Sequence, residues 1–101
     1  MTTNPHIISL SEAAQMTHAF QNDSRFQGLT VACRMGNDSY ETVISQPGCM
    51  GLRTYFALTE TGTLTIVIVG VNQDGNDMTN GVILERSYNC PIDCPVNSPL
   101  M

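Results

Sequence analysis

QPGCMGLRTYFALTETGTLTIVIVGV, residues 46–71, reads as a helix stop, a strand, a tight turn and a second strand. In the first strand, Leu52, Thr54, Phe56 and Leu58 fall on one face, with Arg53, Tyr55, Ala57 and Thr59 on the other. A period of two is the pattern of a half-buried strand. The intervening residues 59–63, TETGT, supply Gly62, which takes a positive φ at no steric cost, as short hairpin loops require. The second strand, Leu64–Val71, has Leu64, Ile66 and Ile68 on one face and Val67, Val69 and Val71 on the other. A strand apolar on both faces expects cover on both.

Upstream, Ser9-Leu10-Ser11-Glu12 is a capping box, in which side chains satisfy the free amides at a helix start. The helix it opens is expected to run to residue 21 or 22. Leu10, Ala13, Ala14, Thr17 and Phe20 form its apolar stripe, with Met16 at the edge and His18 on the flank as a boundary residue. Asn22-Asp23-Ser24 breaks it, and residues 29–35 form a short strand. Gly36-Asn37-Asp38-Ser39 offers N-caps for a second helix whose apolar edge is Tyr40, Val43 and Ile44. Pro47-Gly48 stops that helix, because proline cannot continue the ladder and disfavours helical geometry at Gln46. Downstream, residues 72–77 place Asn72, Asp74 and Asn76 at positions 1, 3 and 5 of a calcium-loop pattern. The register fails, however, with Asp77 at the glycine position and Ile83 at the bidentate glutamate position. An ordinary polar loop is the better reading. Residues 81–85 add a further strand, with Val82 and Leu84 inward.

These elements fit one domain. The chain has 101 residues, 42% of them hydrophobic, enough to bury roughly two-thirds of the unfolded surface. The boundary is drawn after residue 88, with residues 89–101 as a tail. Four arginines, no lysine and nine acids give a net charge of -5. Arg25, Arg34, Arg53 and Arg86 are scattered, so no basic footprint exists for a nucleic-acid backbone. Without lysine there is neither Schiff-base catalysis nor a Walker lysine. The first residues, MTTNPHIISLSEAAQ, carry no basic region and no apolar run of signal-peptide length, and no segment approaches the ~20 apolar residues of a membrane span. A soluble cytoplasmic protein is expected, with Cys33, Cys49, Cys90 and Cys94 mostly reduced.

The last twelve residues repeat a four-residue unit: Cys90-Pro91-Ile92-Asp93, Cys94-Pro95-Val96-Asn97, Ser98-Pro99-Leu100-Met101. Prolines at this density forbid a helix and central-strand pairing, so an extended, stiff tail is expected. Its period of four walks around a polyproline helix and makes no P-x-x-P ligand face. This ending, together with Ser9-Leu10-Ser11-Glu12-Ala13, Gln46-Pro47-Gly48-Cys49, Gly51-Leu52-Arg53, Tyr55 and Val69-Gly70-Val71, resembles a family of short uncharacterised proteins from Bacteroidetes-type bacteria. The resemblance covers most of the chain. It lends no activity and no functional residue, and implies a complete small protein.

Chemistry narrows to the cysteines. Cys33, Cys49, Cys90 and Cys94 permit an all-thiolate tetrahedral site, for which zinc is the favoured metal. The spacing argues against it, since zinc knuckles most often separate paired ligands by two residues and Pro91 lies within this longer gap. A redox-labile Cys90–Cys94 pair is the alternative. Cys49 follows a helix C-terminus, where the dipole opposes a thiolate, and neither His6 nor His18 sits in a triad context. No G-x-S-x-G, H-E-x-x-H, phosphate-cradling or dinucleotide motif is present.

The resulting expectation is an α+β fold, a small, mainly antiparallel sheet of three to four strands with two helices packed on it and an extended Pro-rich C-terminal tail. Two short helices scarcely cover one face, so the other is expected to meet the tail or a second copy. The function expected is a non-enzymatic interaction or assembly module, a homodimer that also docks an unidentified protein, with no nucleic-acid or membrane partner. The alternative is a metal-binding or thiol-redox protein using Cys90 and Cys94. No cofactor is required by the first reading, and zinc is the one compatible with the second.

Overall fold

The Ser9 hydroxyl accepts the Glu12 amide at 3.1 Å and donates to the Glu12 carboxylate. Helix α1 therefore begins where the capping box places it and spans Leu10–Asn22. The computed structural model describes residues 4–101. At the far end of α1, Asp23 caps a 3-10 turn, Ser24–Phe26, and pairs with Arg25 at 2.7 Å. Phe20 stacks on Phe26 with ring centroids 5.0 Å apart. No residue of α1 is fully buried: Ala13, Ala14, Thr17 and Phe20 are half-buried, and Leu10 is exposed.

The remaining elements are β1 (Ala32–Arg34), α2 (Asn37–Ile44), β2 (Gly51–Leu58), β3 (Leu64–Val71), β4 (Ile83–Leu84) and β5 (Tyr88–Cys90). Gly36 caps α2 without a side chain, and the helix stops short of Pro47-Gly48, as the proline dictates. The β2–β3 hairpin closes through a bond from the Thr59 amide to the Thr63 carbonyl at 2.9 Å, with Gly62 at φ 83°. Its register runs from Gly51 opposite Val71 to Leu58 opposite Leu64.

All pairings are antiparallel, and they divide between two sheets. One has the order β2-β3-β4, with β3 central; the other is the β1-β5 pair. The fold is α+β, as expected, but the strand foreseen at residues 29–35 contracts to Ala32–Arg34 and joins the smaller sheet rather than the hairpin. Its partner β5 ends on Cys90, so the first residue of the repeated tail is a strand residue with only 1% of its surface exposed. The division drawn after residue 88 falls within this strand.

The core is small: Val43, Ile68, Val69 and Cys90 are its buried apolar residues. Two buried threonines are satisfied locally, Thr30 donating to the Leu64 carbonyl and Thr65 sharing a hydroxyl contact with Ser87. Gln46 ties α2 to the sheet by donating to the Val43 carbonyl at 2.9 Å and accepting the Val82 amide at 2.8 Å. Gly70 permits this closeness: a Cβ there would lie 3.1 Å from Cys49 Sγ and 3.2 Å from Gln46 Nε2. No residue of β3 is exposed. The chain nevertheless presents 7722 Å² to solvent, where a folded monomer of 11.0 kDa averages about 5,600 Å². The radius of gyration is 15.5 Å, against about 13 Å for a typical domain of this length.

Candidate functional site

The four cysteines do not converge. Cys90 and Cys94 are joined as a disulfide with Cα atoms 4.7 Å apart, although reduced thiols were expected. Cys33 and Cys49 are free and half-buried. In the β1–β5 ladder Cys33 stands opposite Asn89, and Ala32 stands opposite Cys90, so Cys33 and Cys90 alternate in face, while Cys33 and Cys94 both line a cavity of about 370 Å³. Cys33 lines an apolar cavity of about 260 Å³ together with Phe20, Phe56, Leu64, Thr65 and Ile66. Cys49 lies by Gly70, and its thiol meets the Gly51 carbonyl at 3.3 Å. Thr65 and Gly70 stand five steps apart along β3, roughly 17 Å at the strand rise, so the cavity that Cys33 lines and the position of Cys49 belong to different ends of that strand. Among the described residues no group of three or more His, Cys, Asp or Glu side chains could hold a metal.

Two charged clusters were not foreseen. Arg53 and Tyr55, two apart on one face of β2, both reach across to the Asp77 carboxylate. The Tyr55 hydroxyl and then the Arg53 guanidinium hold that carboxyl below its ordinary pKa, against partial burial that raises it. Tyr55 itself is raised, chiefly by the same hydrogen bond. In the second cluster, Arg34 binds Asp93 through two nitrogens at 2.6 and 3.0 Å and lies 4.8 Å from the Tyr88 ring centroid. Arg34 lowers the Asp93 pKa. The spacing of Arg53 and Tyr55 was legible, but nothing local in the sequence marks Asp77 or Asp93 as their partners. Both acids are paired with arginines, which suits clamps across the fold rather than free acids or bases.

The loop at residues 72–77 folds on itself. Asn72 Oδ1 accepts the amides of Asp74 and Asn76, both at 3.0 Å, and Gly75 takes φ 82°. That is an Asx-type turn, in line with the ordinary loop expected. His18 is half-buried on the flank of α1.

The most unusual surface is β2. Every residue of this strand except Ala57 is exposed, including Phe56 at 83% and Leu58 at 71%. Among the described residues only one of its edges is paired, since β2 ends the sheet. Ile92 and Val96 in the tail are also fully open, at 97% and 105%. Among the described residues no helix is long and apolar enough to cross a membrane. No protein-family model matches the chain, and neither curated proteins nor solved structures give a significant match.

Proposed function

We propose that the chain is a non-catalytic assembly module that works as a homo-oligomer. The observation carrying this reading is β2, a strand of eight residues that is solvent-exposed, rich in apolar side chains and, among the described residues, unpaired along one edge. Such edges template pairing with another chain, and folded monomers ordinarily blunt or cover them. The excess of roughly 2,000 Å² per chain, about 4,000 Å² for a pair, lies in the range that obligate homodimer interfaces bury. The open aliphatic side chains of the tail, Ile92 and Val96, suit a docking role for a further protein partner. Light scattering over a range of concentrations tests the reading. A mass of at least twice 11.0 kDa is expected; a persistent single-chain mass at high concentration overturns it.

A second reading rests on the disulfide. In a reducing compartment such as the cytoplasm, where the chain is expected, ordinary disulfides are reduced, so a pair there acts as a transient redox element. Cys94 is exposed and open to a reductant, whereas Cys90 is not. A dithiol partner would supply two electrons and two protons, becoming a disulfide itself while Cys90 and Cys94 return to thiols. Thiol titration of protein purified without reductant decides this reading. Two reactive thiols, Cys33 and Cys49, support it, and four free thiols end it.

A further inference from the structure

We infer that the open edge of β2 is the self-association surface, and that it pairs antiparallel with β2 of a second copy around Tyr55. The proposal rests on the assembly reading above and specifies its geometry. The Thr59 amide bond to Thr63 sets the phase of the hairpin ladder. With antiparallel alternation, Arg53, Tyr55 and Ala57 turn their backbone groups toward β3, while Leu52, Thr54, Phe56 and Leu58 turn theirs outward. The amide of Met50 reaches the Val71 carbonyl at 2.7 Å, one residue out of step, a bulge that ends the ladder. Among the described residues none makes a backbone bond to the outward groups of Leu52, Thr54, Phe56 or Leu58.

Those same four residues carry the exposed side chains of one sheet face. The unsatisfied backbone and the open apolar surface therefore coincide. Natural edges are protected by inward charges, proline or covering segments. Here the strand has no proline, and its one charged residue, Arg53, is drawn back over the sheet to Asp77.

Self-complementarity selects a second copy as the occupant. A two-fold axis at Tyr55 sets Leu52 opposite Leu58 of the second copy and Thr54 opposite its Phe56. Every outward N–H and C=O of the four then finds a partner, and a continuous six-stranded sheet results. Arg53 falls opposite Ala57 of the second copy rather than opposite its own counterpart, so no like charges face each other. The two Phe56 rings become diagonal neighbours across the axis, within the reach of aromatic side chains. Shifting the axis to Arg53 loses half of this and sets two arginines face to face.

Three variants test the geometry by analytical ultracentrifugation, with circular dichroism to confirm folding. Thr54→Pro removes an outward amide that bonds nothing within the chain, in a position an edge strand accepts. Phe56→Lys places a charge on the open face. Each is expected to weaken dimerisation on the order of a hundredfold while leaving the spectrum unchanged. Tyr55→Cys, in a Cys33→Ser, Cys49→Ser background, places two thiols on the axis in a non-hydrogen-bonded pair. The Cα separation there is about 4.5 Å, within disulfide reach, so a dimer cross-linked through residue 55 is expected on mild oxidation. A wild-type dimer unchanged by folded Thr54→Pro and Phe56→Lys overturns the edge while sparing the assembly reading. Loss of the cross-link in a protein that still dimerises overturns the register, and a wild-type monomer overturns both proposals.

Discussion

Phe56 stands directly opposite Ile66 across the β2–β3 ladder, yet the aromatic ring is open to solvent and the isoleucine is half-buried. Neighbours in register thus live in different environments. The asymmetry arises because Thr30, bonded to the Leu64 carbonyl, and Ala32 and Cys33 of β1 lie beside Ile66, whereas β2 is the edge of its sheet. Packing stability therefore resides on β3 and what covers it, and β2 contributes surface.

Removing exposed bulk should then cost little where removing buried bulk costs much. Phe56→Ser is expected to shift the unfolding free energy of the single chain by no more than about 0.5 kcal/mol, the usual range for surface changes. Ile68→Ala, buried at the centre of β3, should cost about 3 kcal/mol through lost transfer energy and the cavity left behind. Urea denaturation at low protein concentration, where single chains dominate, measures both. Equal costs would show that the open strand is part of a core after all.

Val43 is the fully buried residue of α2, with 0% exposure. Val43→Ala removes two methyl groups from beneath the helix and should cost about 2 kcal/mol. Ile44→Ala, one position on and exposed, should be near neutral. The contrast reads out which face of α2 meets the sheet, by thermal unfolding of the two variants side by side.

The hairpin and both helices were legible because each carries a strong local signal. Alternation marked β2, the apolar run marked β3, a serine cap opened α1, and Pro47-Gly48 closed the region after α2. The inward direction of Val82 and Leu84 was legible in the same way, for both are half-buried beside exposed Ile83. What escaped was non-local. Whether Ala32–Arg34 joins the hairpin or pairs with Tyr88–Cys90 depends on contacts more than fifty residues apart. The need for outside cover was assigned to the second face of β3, because β3 is apolar on both sides. The structure covers β3 from within the chain and leaves the open surface on β2, one strand over. Alternation alone says that one face of a strand is apolar, not that anything is there to meet it.

The Asp77 clamp gives a pH dependence with a definite sign. Its carboxyl titrates below the ordinary value of about 3.9 in the folded chain, held there first by Tyr55 and then by Arg53. Such a group stabilises the fold fully above the unfolded pKa, and the contribution disappears as pH falls through the folded one. Asp93, lowered by Arg34, acts in the same direction. Stability measured from pH 6 down to pH 2 should therefore fall below pH 4, with a shallower fall in Asp77→Asn and shallower still with Asp93→Asn added. An unchanged acid limb in the double variant would remove both clamps from the account.

Reduction of the Cys90–Cys94 disulfide should destabilise the smaller sheet more than the larger one. The bond closes a loop of only five residues, for which chain-entropy estimates give about 2 kcal/mol. Asp93 lies inside that loop, donates its amide to the Asn89 carbonyl at 2.9 Å, and holds Arg34 of β1. Opening the loop frees Asp93 from this position, so the Arg34–Asp93 pair should loosen with it. Hydrogen exchange before and after reduction follows the consequence: the amides of β1 and β5 should lose protection while those paired across β2 and β3 keep theirs.

Gln46 supplies the last and most local prediction. Its side-chain amide is used at both ends, donating to Val43 in α2 and accepting from Val82 just before β4, so one residue fastens the end of the helix to the third strand. Gln46→Ala leaves the part-buried Val82 amide without its acceptor, which costs about 1–2 kcal/mol in addition to the opened space beside Gly70. Gln46→Glu keeps an acceptor for Val82 but cannot donate to the Val43 carbonyl, and it sets a negative charge against that oxygen. The glutamate variant should therefore be destabilised as well, and should recover as pH is lowered and its carboxyl regains a proton to donate. A stability difference between pH 7 and pH 4 that is larger in Gln46→Glu than in Gln46→Ala is the expected result; equal pH profiles would show that the Val43 bond contributes nothing.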